Sequence, residues 1–168
     1  MDQNTLNILI VDDNRDIHEI IKDFFDLINE NEEDLKMNDM GQELFGQEGA
    51  GNGSIFSGKK FNFVSCFQGE DAVHKVEESM SDSNQKFAIA FMDIRMPPGI
   101  DGIQTTEKIW KIDPQLPVLI CSAYSDYSSD DIKGKFKTHH NMDFLPKPFE
   151  LNIFQEKTMH LMEIGGRC

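Results

Sequence analysis

Two apolar runs that end abruptly at aspartates constrain this chain most. Leu6–Asn7–Ile8–Leu9–Ile10–Val11 stops at Asp12–Asp13, and Phe87–Ala88–Ile89–Ala90–Phe91–Met92 stops at Asp93. Apolar runs of this length, the first of them rich in β-branched residues, read as strands buried on both faces. Three further runs behave in the same way. Phe61–Asn62–Phe63–Val64–Ser65–Cys66–Phe67 is a second strand, Pro117–Val118–Leu119–Ile120–Cys121 ends at Ser122, and the short Phe144–Leu145 precedes Lys147–Pro148.

Between the strands the period changes from two to 3.6. Ile17, Ile20, Ile21, Phe24, Phe25 and Ile28 carry the spacing of one helical face, with Asp13 or Asn14 as the cap. Ala72, Val73, Val76 and Met80 mark a second helix. Ile103, Thr106, Ile109 and Trp110 mark a third, closed by Asp113–Pro114. Residues 126–137 form a weaker pattern with Ile132 and Phe136 inward. Leu151, Phe154, Thr158, Leu161 and Met162 lie on the last helix, stopped by Gly165–Gly166. Residues 31–60 break the rhythm with six glycines spread among acids and amides, and read as a loop with at most a helical turn near Glu43–Phe45. Their Gly49–Ala50–Gly51–Asn52–Gly53 is a poor nucleotide loop, since no strand enters it and no lysine–serine pair follows.

Five buried strands alternating with five helices predict an α/β fold: a doubly wound, five-stranded parallel sheet in the order 2-1-3-4-5, flavodoxin-like. The 168 residues suit one domain, here 1–164 with 31–60 as a Gly-rich acidic insertion and 165–168 as a linker or truncated end. In such folds ligands sit beyond the carboxyl ends of the strands. The polar residues at those ends are Asp12, Asp13, Asp93, Ser122 and Lys147, so they converge on one rim.

Three carboxylates, a hydroxyl and an ammonium in one place have a definite chemistry. Unaided, the carboxylates repel and raise each other's pKa. A hard divalent cation, magnesium or manganese, relieves this, because it takes oxygen ligands and keeps several waters. The cation and Lys147 together would neutralise charge on a transferring phosphoryl group. The nucleophile is a carboxylate, because Ser122 has no base beside it in sequence and no histidine shares the rim. Asp93, at the end of the central strand, is the best candidate.

Asp12–Asp13 after an apolar strand, Met92–Asp93–Ile94–Arg95–Met96–Pro97 with Asp101–Gly102 following, Ser122–Ala123, and Leu145–Pro146–Lys147–Pro148–Phe149 together resemble the signature of response regulator receiver domains. The likeness covers nearly the whole chain apart from 31–60 and the last few residues. It implies that Asp93 is the phosphoacceptor, and that Asp13 binds magnesium directly with Asp12 in support or through water. The carbonyl of Arg95 would be the third protein ligand. Lys147 would pair with the phosphoryl group, while Ser122 and Phe144 would move as a switch. The signalling surface would be the fourth helix, fifth strand and last helix, about 126–163. The Lys147–Pro148 bond is a candidate for cis. Three features depart from the usual pattern: the turn Met96–Pro97–Pro98–Gly99–Ile100–Asp101–Gly102 is one residue longer, residues 31–60 enlarge a loop, and Ser122 stands where threonine is common.

The resemblance also implies partners: a sensor histidine kinase or phosphotransfer protein upstream, an effector domain or protein downstream, and a homodimer as an option. It implies no enzyme in the ordinary sense, since any effector activity would lie outside this chain. A haloacid-dehalogenase-type phosphatase would share the aspartyl chemistry, but that class wants a second aspartate two residues after the nucleophile, and here Arg95 stands there. A receiver-like module that binds partners without phosphorylation is the other alternative. Composition narrows the field further. Thirty acidic against 16 basic residues give a net charge of −14, which disfavours direct nucleic-acid or membrane binding. No apolar run spans a bilayer and no signal peptide opens the chain, so the cytoplasm is expected. Cys66, Cys121 and Cys168 form neither a disulfide framework nor a zinc site, and the first two read as core. His139–His140 reads as surface, and His18–Glu19 lacks the second histidine of a zinc-protease helix.

Overall fold

A computed structural model describes residues 4–43, 56, 58–123 and 140–166, with residues 30–43 and 122 described by their backbone alone. The five apolar runs are β1 (Thr5–Val11), β2 (Lys60–Cys66), β3 (Phe87–Asp93), β4 (Val118–Ala123) and β5 (Met142–Lys147). They pair in the order β2-β1-β3-β4-β5, and every pairing is parallel. The helices are α1 (Arg15–Glu43), α2 (Gly69–Ser79), α3 (Gly102–Ile112) and α4 (Leu151–Gly165). These are four among the described residues. The further helix expected over 126–137 lies outside the described residues, as does His139.

Strand alternation feeds two cores. All seven residues of β3 are buried. Leu9, Val11, Ala90, Met92, Val118 and Ile120 face Ala72 and Val76 of α2 and Ile103, Ile109 and Trp110 of α3. Ile8, Ile10, Ile89, Phe91, Leu119 and Leu145 face Ile21, Phe25 and Ile28 of α1 and Phe154, Leu161 and Met162 of α4. Cys66 and Cys121 are both buried, one in each core. Burial pushes the Cys66 thiol up to about 11 and the Cys121 thiol higher still. Both are packing residues with almost no thiolate at neutral pH.

Helix ends follow the local chemistry. The Asn14 side chain accepts from the Asp16 N–H at 3.0 Å, capping α1 as the sequence suggests. Asp101 caps α3 by accepting from the Gln104 N–H at 2.7 Å. Gly166 closes α4 with φ of 59°, a left-handed conformation that glycine adopts without strain.

Three readings of the sequence need correction. The buried stripe of α1 is His18, Ile21, Phe25 and Ile28, whereas Ile20 is exposed and Ile17 and Phe24 are half-buried. The expected face included too many apolar residues because the polar histidine holds an inward position. Second, α1 does not stop near residue 30. Residues 31–43 continue the helix, since they hold one glycine among strong helix formers. Third, Phe56 of the expected loop is fully buried. It meets Phe25 edge-on at 5.8 Å and Phe61 at 5.7 Å, and its carbonyl accepts from the Lys59 N–H at 2.9 Å. The aromatic ring offsets the ordering of the backbone around it. Residues 44–55 lie outside the described residues.

Phe25 is the hub of this aromatic core, with Phe61 at 4.7 Å, Phe63 at 5.5 Å, Phe91 at 5.9 Å and Phe154 at 5.6 Å. Phe25→Ala is expected to lower unfolding free energy by about 3–5 kcal/mol. Urea denaturation checks this, and a loss below about 1 kcal/mol would show that the cluster is not the keystone of that face.

Candidate functional site

The register of the sheet assembles the site. Val11 pairs with Met92 across β1 and β3, so the next residues, Asp12 and Asp93, emerge side by side at the carboxyl edge. Asp93 pairs with Cys121, Cys121 with Leu145, and Ala123 with Lys147. Lys147 therefore reaches back across the rim from β5. Its Nζ lies 2.6 Å from Asp12 Oδ2 and 2.7 Å from Asp93 Oδ1. Both carboxylates are nearly buried, while about a fifth of the lysine side chain is exposed.

Each remaining acceptor has a partner. Asp12 Oδ1 accepts from the Asn14 N–H at 2.9 Å, and Asp93 Oδ2 from the Arg95 N–H at 2.9 Å. The turn after Asp93 is held by its neighbours. The Gly102 N–H donates to the Ile94 carbonyl at 3.0 Å. A Cβ at residue 102 would stand 1.9 Å from the Asp93 carbonyl oxygen, so only glycine fits beneath Asp93. The Gly99 N–H donates to Gln68 Oε1 and the Ile100 N–H to Glu70 Oε1, both at 3.1 Å. The elongated turn thus leans on the start of α2.

One cation among three carboxylates leaves the rim short of positive charge. Burial pushes the Asp93 carboxyl above its ordinary range, and the Asp12 charge pushes the same way. The Lys147 ion pair and the Arg95 N–H oppose this without overcoming it. Burial also works against the Lys147 ammonium, but its hydrogen bonds to Asp12 and Asp93 outweigh that and hold its pKa above the usual value. A further cation is what the arrangement lacks. Asp12, Asp13 and Asp93 offer oxygens all within 4.8 Å of one another, with Asp13 exposed to solvent. An all-oxygen donor set with one open side fits magnesium, which retains waters in its shell.

The sequence pattern described as the response regulator receiver domain matches residues 50–158. The chain belongs to the response regulator receiver domain family. That family serves two-component signal transduction. The receiver is 38 % identical over 103 residues to the transcriptional regulatory protein TctD of Salmonella typhimurium, a match that covers 59 % of this chain and 40 % of TctD. It is 36 % identical over 84 residues to the chemotaxis protein CheY of Thermotoga maritima, covering 49 % of this chain and 60 % of that one. The chain thus spans less than two thirds of these relatives. Among solved structures, a CheY-like receiver domain protein from Methanospirillum hungatei superposes with a TM-score of 0.62. The identity is 16 %, with 97 % of this chain and 98 % of that chain covered, a likeness of fold.

The structure brings Asp12, Asp13, Asp93 and Lys147 together as the sequence predicts. Arg95 sits in the turn with its side chain exposed. Ser122 lies on β4 in register with Pro146, one residue from Lys147. Phe144 is half-buried on β5, packed against the core that holds Met92. The Lys147–Pro148 bond is cis, as is Pro97–Pro98. His18 is the residue that sequence reasoning missed. It lies beneath the rim, bonded to the Asp12 carbonyl. Its spacing from Ile21, Phe25 and Ile28 was the signal that placed it inward.

Folding raises the Asp93 pKa, so its ionised form opposes folding. That cost is absent below the unfolded-state carboxylate range and complete once pH has risen past the folded-state value. Without divalent cation, Asp93→Asn is therefore expected to be more stable than the native chain at neutral pH, the gap narrowing on acidification. Urea midpoints of both chains across that range test this. Equal stability at neutral pH would contradict it.

Proposed function

We propose that the chain receives a phosphoryl group on Asp93 and signals through the resulting change of shape. The observation that carries this reading is the placement of Asp93 at the end of the central strand, between Asp12 and Lys147 and within reach of Asp13. In the transfer, an Asp93 carboxylate oxygen forms a bond to phosphorus. The bond from phosphorus to the donor's imidazole nitrogen breaks, and its electron pair stays with that nitrogen. The product is an acyl phosphate. Lys147 would leave its pairing with the Asp93 carboxylate for the phosphoryl oxygens, supplying a fixed positive charge. Asp13 and Asp93, with the carbonyl of Arg95, would hold a magnesium ion, and Asp12 would support it. When bound, that ion supplies charge neutralisation for the transferring group.

The raised Asp93 pKa favours this role, since a destabilised carboxylate is the better nucleophile and gains most from a neutralising cation. The donor is a phosphohistidine on a sensor kinase or phosphotransfer protein. Ser122 and Phe144 carry the change from the rim to the β4–β5 side, and a downstream effector domain or protein reads it. The chain is a phosphoryl acceptor in this scheme, and any effector catalysis belongs elsewhere. The acidic surface suits a protein partner better than nucleic acid or membrane. Among the described residues no helix is long and apolar enough to cross a membrane, and a cytoplasmic setting fits the thiol usage.

Incubation with magnesium and acetyl phosphate, followed by intact mass measurement, tests the reading. The native chain is expected to gain one phosphoryl group, dependent on the metal, and Asp93→Asn none. A folded native chain that stays unmodified with this donor and with a phosphohistidine donor would favour a phosphorylation-independent interaction module. A modified Asp93→Asn chain would move the acceptor elsewhere.

A further inference from the structure

His18 takes no part in the transfer described above, yet its buried ring is bonded at both nitrogens. Nε2 lies 2.8 Å from the carbonyl oxygen of Asp12, and Nδ1 lies 2.9 Å from Oγ of Ser65 on β2. A carbonyl only accepts, so Nε2–H donates to it. In the neutral ring Nδ1 is then the acceptor for the Ser65 hydroxyl. The ring also packs on Phe67 at 4.7 Å, and the Arg15 guanidinium sits 5.1 Å from the centre of that same phenyl ring. The contact with Phe67 limits rotation of the imidazole.

The carbonyl that His18 engages belongs to the peptide joining Asp12 to Asp13. On the other side of residue 12, the Asp12 N–H donates to the Cys66 carbonyl at 3.1 Å. The end of β2 therefore grips Asp12 twice, directly from Cys66 and through His18 from Ser65. Residue 12 is thus held through the peptides on both of its sides, by its N–H and by its carbonyl, and the orientation of the Asp12–Asp13 peptide bears on the directions in which the two carboxylates leave the backbone. The Asn14 N–H and Lys147 complete the hold on the Asp12 side chain. Asp13, exposed at the mouth of the rim, is oriented by that turn.

We propose that His18 is a positioning residue for the divalent cation: by locking the Asp12–Asp13 peptide to β2, it presents both carboxylates to the ion in a fixed geometry. This rests on reading the rim as a magnesium site. Groups behind metal ligands act in this way, and their loss typically costs about 10–100-fold in metal affinity. A histidine that merely filled the core would change stability and leave affinity for the ion alone.

The test compares the full native chain with His18→Leu, His18→Gln and Ser65→Ala. Magnesium affinity is read by calorimetric titration and metal-free stability by thermal unfolding. Leucine keeps apolar bulk against Phe67 but cannot donate, while the glutamine amide can reach the Asp12 carbonyl. The leucine variant is expected to bind magnesium about tenfold or more weakly. Glutamine is expected to recover most of the affinity, whatever its effect on unfolding temperature. Ser65→Ala, a change at an exposed position, is expected to weaken binding by a smaller factor. Native affinity in a folded leucine variant would overturn the proposal while leaving the magnesium reading intact. If the leucine variant does not fold, native affinity in Ser65→Ala overturns it instead. A native chain that binds no magnesium overturns the cation reading and the proposal with it.

Discussion

The contact on which the site depends is the reach of Lys147 across the sheet to Asp12 and Asp93 at once. Those residues are far apart in the chain and meet only because three strands lie in one register. Two carboxylates at the end of adjacent buried strands would otherwise repel in a poorly solvated place. The lysine neutralises part of that repulsion and leaves part in place, and Asp12, Asp13 and Asp93 together could hold a metal ion. A rim fully neutralised by the protein would be a better fold, with less left for a bound cation to neutralise.

The rest of the architecture serves to hold that geometry stiff. The strands beneath the rim are clamped between two apolar layers. Gly102 lets β3 turn into α3 at a separation no side chain would permit. The long turn after Asp93 is tied to Gln68, just before α2, and to Glu70 in its first turn, and Asp12 is tied to β2. Each anchor comes from a backbone amide or an uncharged side-chain group, apart from Glu70. The site gains rigidity with little further charge beside Asp93.

Much of this was legible in the sequence because buried parallel strands leave an unambiguous trace. Ile8 to Val11 and Phe87 to Met92 are apolar on both faces, and the polar residue that ends each run marks the rim without reference to any side-chain conformation. The helices were less sharply drawn. In α1, Ile20 and Phe24 look as inward as Ile21 and Phe25, and only the packed structure separates them. His18 was hidden for a related reason: its inward position is set by helix spacing, but its purpose depends on partners at residues 12 and 65. Phe56 was hidden by its surroundings, since one aromatic in a glycine-rich stretch carries no periodicity. Composition alone does not mark Phe56 as a buried side chain.

Phe56 has a consequence for how such a chain can change over time. Helix α1 delivers the backbone to Glu43, and Phe56 returns it to the core just before β2. The two ends of the intervening segment are thus set independently of what lies between them. Closing a longer loop costs only about 0.6 kcal/mol for each doubling of its length. The Asn4 side chain donates to the Gly58 carbonyl, and the Lys60 N–H donates to the Asn4 carbonyl at 2.9 Å, so β2 begins in the same place however long the connection is. Insertions and deletions between residues 44 and 55 can accumulate without shifting the strand register that brings Asp12 beside Asp93. That stretch leads into the amino end of β2, away from the carboxyl ends of the strands, so a change in its length would leave the carboxylate rim in place.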